Sequence, residues 1–128
     1  MSGPAPEAAL APQEQAQLER GVAQFNERHF YECHDTLEEL WSGLRGGARD
    51  LVQGLIQVAV GFYHLGNGNR TGAVRLFDRG LERLAGCSDA PAGLDLASLR
   101  AAVGRWREAA AGDGPLPEGG PPPIRRLP

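Results

Sequence analysis

Lysine is missing from this chain: all 13 basic residues are arginine. Beside 18 glycines, that bias points to GC-rich coding rather than to a function, so arginine content alone carries no functional weight. Excess positive charge is missing too. A net charge of -3 argues against general nucleic-acid binding, which needs a positive surface to displace counterions. Cysteine is scarce. Cys33 and Cys87 are too few for a disulfide scaffold and lack zinc-finger spacing, so both read as thiols in helices. No apolar run is long enough for a membrane span, because the best candidate, "LVQGLIQVAVGFYHLG", is interrupted by Gln53, Gln57 and His64. The opening "MSGPAPEAALAPQEQ" has no basic region followed by an apolar one, so the expected compartment is the cytoplasm.

No strand-like alternation occurs either, while apolar residues recur at helical spacing along most of the 128 residues. Leu18, Val22 and Phe25 mark a first helix over about 13–26, with Asn26 as a residue that tolerates a left-handed stop. Phe30, Leu37, Leu40, Trp41 and Leu44 mark a second over about 29–44, ended by "GLRGG". The third, about 48–66, is apolar nearly all round and belongs at the centre. After "GNGN" a fourth helix points Ala73, Val74, Phe77, Leu81 and Leu84 inward, with Asn69 as its N-cap and Arg75, Arg79 and Arg83 on a solvated face. A fifth starts at Asp95 and carries Leu99, Val103 and Trp106. The expected fold is all-α, a compact bundle of about five helices with helix 3 central. Residues 1–12 read as a flexible segment, 13–111 as the helical domain and 112–128 as a Pro/Gly-rich tail in which Ile124 and Leu127 could dock. "FNERHFYECHDTLEEL" and "LGNGNRTGAVRLFDRG" also align at an offset of 40, placing Cys33 on Ala73 and Leu37 on Phe77, in the manner of tetratricopeptide hairpins.

Two polar seams interrupt the apolar stripes. On helix 2, His34 and Glu38 stand one turn apart between Phe30 and Trp41; on helix 3, Asp50, Gln53, Gln57 and His64 share a stripe. If the seams face each other, these side chains meet in one cleft. Two imidazoles and a carboxylate, His34, Glu38 and His64, could then supply three ligands to a divalent metal and leave a position for water. The spacing permits a metal without favouring one, because it lacks a second ligand pair on the same helix. His34 and Glu38 are also the catalytic candidates as an acid–base pair, but no nucleophile is identifiable. The alternative is a hydrogen-bonded core seam that fixes helix pairing. Arg49 is expected to bridge to Glu38 or Glu39, and Asp50 to favour the start of helix 3 through its dipole. Cys33 reads as a small core residue.

The segments "FNERHFYECHDTLEELW" and "RDLVQGLIQVAVGFYHLGNGNRTGA" resemble the signature of domain of unknown function family 309. The resemblance rests on Phe25, Asn26, His34, Glu38, Trp41, Arg49, Asp50, the run Gln53 to Gln57, His64, Gly68, Asn69, Gly72 and Ala73, and covers about residues 18–85. Asp35 departs from it, standing where that family more often has glutamate. The resemblance implies a compact all-helical domain and no established activity. The functional expectation is a binding or accessory module for a small molecule or protein, using His34, Glu38, Trp41, Arg49, Asp50, Gln53, Gln57 and His64. A metal-dependent hydrolase-like enzyme and a helical-hairpin interaction module or homodimer are the alternatives.

Overall fold

A computed structural model describes residues 10–128. Five α-helices run in order: α1 Pro12–Asn26, α2 Phe30–Trp41, α3 Gly46–Gly66, α4 Arg70–Ala85 and α5 Leu96–Ala111, with a short 3-10 turn at Pro91–Gly93. Among the described residues there is no strand, only a single antiparallel bridge between Leu94 and Arg126. The all-α bundle expected from the periodicity is the fold observed. Each helix packs mainly on the next, so α3 lies between α2 and α4 and buries Leu51, Leu55, Val58 and Phe62. Among the described residues no helix is long and apolar enough to cross a membrane. The segment expected to be flexible, 1–12, falls mostly outside the described residues; at its end Leu10 packs on the core and the Ala11 amide donates to Glu14.

The echo at an offset of 40 is geometric as well as sequential. The α1–α2 turn has the Arg28 amide donating to the Phe25 carbonyl at 2.9 Å and the His29 amide to the Gln24 carbonyl at 2.9 Å. The α3–α4 turn repeats both, with Gly68 to Leu65 at 3.0 Å and Asn69 to His64 at 2.9 Å. Close helix contact repeats too: a Cβ on Gly21 would run into the Leu37 side chain, and one on Gly61 would lie 2.6 Å from Phe77. Two equivalent hairpins therefore stack, each held close by a glycine facing a large apolar residue.

The boundaries shift where local chemistry intervenes. Helix α2 stops at Trp41, short of residue 44, because Ser42 turns its hydroxyl onto the Glu39 carbonyl at 2.9 Å and Gly43 follows. Leu44 is still buried, from the loop. Asn26 does not make the left-handed stop. Arg28 does, at φ 65°, while the Asn26 amide grips the backbone of Ile124 through bonds of 3.0 and 2.7 Å. The C-terminal segment is thus extended and docked, with Ile124 buried and Leu127 42% exposed. The Asp95 amide donates to Arg125 and the Leu127 amide to Gly93, and Arg126 pairs with Glu19. The expected N-caps form: Asn69 accepts from the Gly72 amide and Asp95 from the Ser98 amide.

Candidate functional site

Antiparallel packing of α2 on α3 sets the second half of α2 against the first half of α3, and a groove of about 670 Å3 runs between them. Asp35, Glu38 and Glu39 line one side, Gln53 and Gln57 the other, with Trp41 at one end. Two side-chain atoms in its walls are covered without a hydrogen-bond partner: the Nε1 donor of Trp41 and the Oε1 acceptor of Gln57. Such atoms are costly to leave unpaired; a third, Gln24 Oε1, lies on α1 away from the groove. The Arg49 guanidinium lies over the Trp41 ring, 3.9 Å from its centroid.

Of the other residues of the sequence seams, His34 stays with Glu38 and His64 does not. His34 Nε2 lies 3.0 Å from Glu38 Oε2 and Nδ1 lies 3.5 Å from Asp35, with the imidazole partly buried and both carboxylates exposed. His64, near the end of α3, has Tyr63 beside it at 6.3 Å between ring centroids. Among the described residues no group of three His, Cys, Asp or Glu side chains is placed to hold a metal ion, so the His34, Glu38 and His64 trio is not assembled. Pairing His34 with Glu38 on one helix needs only the i,i+4 spacing. Bringing in His64 also needs the right axial offset between helices, and the packing sets α3 so that Gln53 and Gln57, not His64, face Glu38. Nor is there a buried polar core seam, since no polar or charged residue is buried among those described.

Two expected partnerships are also corrected. Arg49 lies on Trp41 instead of bridging to Glu38 or Glu39. Asp50 sits beyond the first turn of α3 and pairs with Arg83 of α4 at 3.0 Å. Elsewhere on α4, Asp78 pairs with Arg107 of α5, whose guanidinium holds its carboxyl below the usual range. Arg70 is committed to the carbonyls of Ala109, Gly112 and Gly114. Burial pushes the Cys33 thiol up to about 12, so it is no nucleophile near neutral pH.

The groove residues Glu38, Trp41, Gln53 and Gln57 lie on one continuous stretch of chain that also supplies α1 and the first part of α4. Residues 18–76 match the DUF309 family, a domain of unknown function. The match bears out the resemblance carried by the His34/Glu38/Trp41 helix and the run from Gln53 to Gln57. No curated protein matches the chain. The matched residues include every lining residue of the groove, whereas α5 and the docked C-terminal segment lie outside the match.

A second cavity went unread in the sequence. At the start of α2 and the end of α3, Phe30, Tyr31, Phe62 and Tyr63 meet Trp106 of α5 around about 500 Å3. A signal for it was present: two Phe-Tyr steps, at 30–31 and 62–63, each pair an inward ring with one near the surface, and antiparallel helices bring those steps together.

Proposed function

We propose that the protein is a small-molecule binding module and that the α2–α3 groove takes a small ammonium- or guanidinium-bearing molecule with one carbonyl-type oxygen. The observation that carries this reading is the pair of unpartnered atoms in the groove walls, the Trp41 donor and the Gln57 acceptor. A ligand nitrogen can donate to Gln57 and to the carboxylates of Glu38 and Asp35, and a ligand oxygen can accept from the Trp41 indole. Both atoms are covered, so engaging them takes a rotamer change, the most common adjustment at a binding surface. Three carboxylates among the lining residues favour a cation, and the Trp41 ring already holds one guanidinium, that of Arg49, from outside the lining. In this reading His34 orients Glu38 from behind through their 3.0 Å contact and has no ligand contact of its own.

Titration of isotope-labelled protein with argininamide and with glycinamide, using acetate as the anionic comparison, tests the proposal by NMR. Shifts should concentrate on the Trp41 indole N–H and the Gln57 side-chain amide, and Glu38→Gln or Gln57→Leu should weaken binding about tenfold. Shifts spread evenly over the acidic surface, or the same response to acetate, would remove the reading.

A further inference from the structure

The aromatic cavity at the opposite end of α2 combines three features. Its walls are ring faces and edges at stacking geometry. Phe30 and Phe62 are stacked at 25° and 5.4 Å, Phe62 meets Trp106 edge-on at 77° and 5.4 Å, and exposed Tyr31 and Tyr63 tilt together at 5.7 Å. A flat ring can join that network with quadrupole-matched contacts that a saturated ring of equal size cannot make. Second, Glu32 is the one carboxylate among its lining residues and the carbonyl end of the 21-residue helix α3 also lines it at Leu65, Gly66 and Asn67, while the two basic side chains of the lining are engaged elsewhere, Arg28 on the Gly119 and Pro121 carbonyls and His29 3.7 Å from Glu27.

Third, the cavity is finished by the C-terminal segment, whose Leu116 and Pro121 form an outer wall. That segment is clamped by Arg28, which donates to the carbonyls of Gly119 at 3.1 Å and Pro121 at 3.3 Å. Arg28 holds φ 65° in a turn whose equivalent in the second hairpin has Gly68 at φ 77°. A side-chain-bearing residue pays strain in that region, and glycine does not. The strained position therefore coincides with a side chain that holds the wall, and Gly120 is fitted to it, since a Cβ there would lie 2.5 Å from the guanidinium.

We propose that this cavity binds a planar aromatic ligand carrying a protonated nitrogen, with the Arg28-clamped C-terminal segment as its removable outer wall. The site is separate from the α2–α3 groove and shares no lining residue with it. The volume lies within the range of small-molecule sites, and the aromatic walls, the single lining carboxylate and the peptide wall divide the work: shape, charge and closure.

The probe is 1-naphthylmethylamine, added to the full chain and followed by NMR at the Tyr31, Tyr63 and Trp106 rings. Cyclohexylmethylamine, cationic but saturated, should bind about tenfold more weakly, and 1-naphthalenemethanol, aromatic but neutral, should bind the same site insensitively to Glu32→Gln. Arg28→Gly copies the turn of the second hairpin, so it should keep or raise the melting temperature while weakening the naphthyl probe about tenfold. Gly120→Ala disturbs the clamp from the other side and should do the same to binding. Equal affinity for the saturated amine, undiminished binding in both clamp variants, or perturbations centred on Trp41 and Gln57 would each overturn the proposal. So would an absence of ring shifts at millimolar probe.

Discussion

Replacing Asn26 with alanine should release the C-terminal segment without unfolding the bundle. In the native protein the Asn26 amide makes a paired contact with one residue far along the chain, donating to the Ile124 carbonyl at 3.0 Å and accepting from the Ile124 amide at 2.7 Å. Each bond is worth about 0.5–1.5 kcal/mol net, so the pair contributes about 1–3 kcal/mol to docking. Ile124 itself is only 2% exposed, and burying such a side chain is worth about 1.5–3 kcal/mol. Losing the amide therefore removes a large share of what holds the segment. The cost is bounded, however, because the chain can detach and regain hydrogen bonds from water. Native-state hydrogen exchange reads this directly. Protection should fall by about 5- to 150-fold at the amides of Ile124, Asp95 and Leu127, which are tied through the docked segment, and far less at Leu55 and Val58 in α3. Unchanged protection at Ile124 would show that Asn26 does not hold the segment. An equal fall at Leu55 and Val58 would refute the reasoning differently, by making the segment part of one cooperative unit rather than a separable wall.

Glycine to alanine changes should have opposite signs on two helices. At Gly80 a Cβ would lie 3.1 Å from the Gly54 carbonyl and 3.3 Å from the Val58 amide, fixed backbone that only helix separation can clear. Overpacking of about 1–3 kcal/mol should there exceed the helix-propensity gain of about 1 kcal/mol, whereas Gly104→Ala meets nothing within 4 Å and should stabilise by about 0.5–1 kcal/mol. Denaturant midpoints of the two variants check this, and stabilisation at Gly80 would contradict it. The two thiols should separate by reactivity: iodoacetamide at pH 8 labels partly exposed Cys87 and spares buried Cys33 in the native state. Because the Cys33 thiol is raised from 9.0 to about 12, its contribution is full below pH 9 and is lost as pH rises toward 12; Cys33→Ala should flatten that alkaline decline. At the acid end the sign reverses. Arg107 lowers the Asp78 carboxyl, so the pair's stabilisation is present above the ordinary carboxylate range and disappears as pH falls through the lowered value; Asp78→Asn should make acid unfolding shallower.

The fold was legible in the sequence because helix formation is local. The stripe Leu18, Val22, Phe25 and the all-round apolar α3 carry their own period, and Asn69 and Asp95 cap within three residues. Even the paired-hairpin plan was visible, as Cys33 over Ala73 and Leu37 over Phe77, all four fully buried. The His34–Glu38 contact was legible for the same reason, being one turn of one helix.

What lies between helices was not. Periodicity states which face of a helix is apolar, but not how far two helices slide along each other or which end meets a distant segment. That offset gave Asp50 to Arg83, laid Arg49 on Trp41, and put Gln57 rather than His64 opposite Glu38. It also brought Ile124 onto Asn26 across 98 residues, and so closed an aromatic cavity whose walls come from α2, α3, α5 and the C-terminal segment. The sequence alone determined the helices, their caps and the repeat, because those depend on neighbours within a turn or two. Tertiary packing alone decided which polar groups share a groove and which rings share a cavity, because those contacts join residues whose spacing in the chain carries no information about their distance in space.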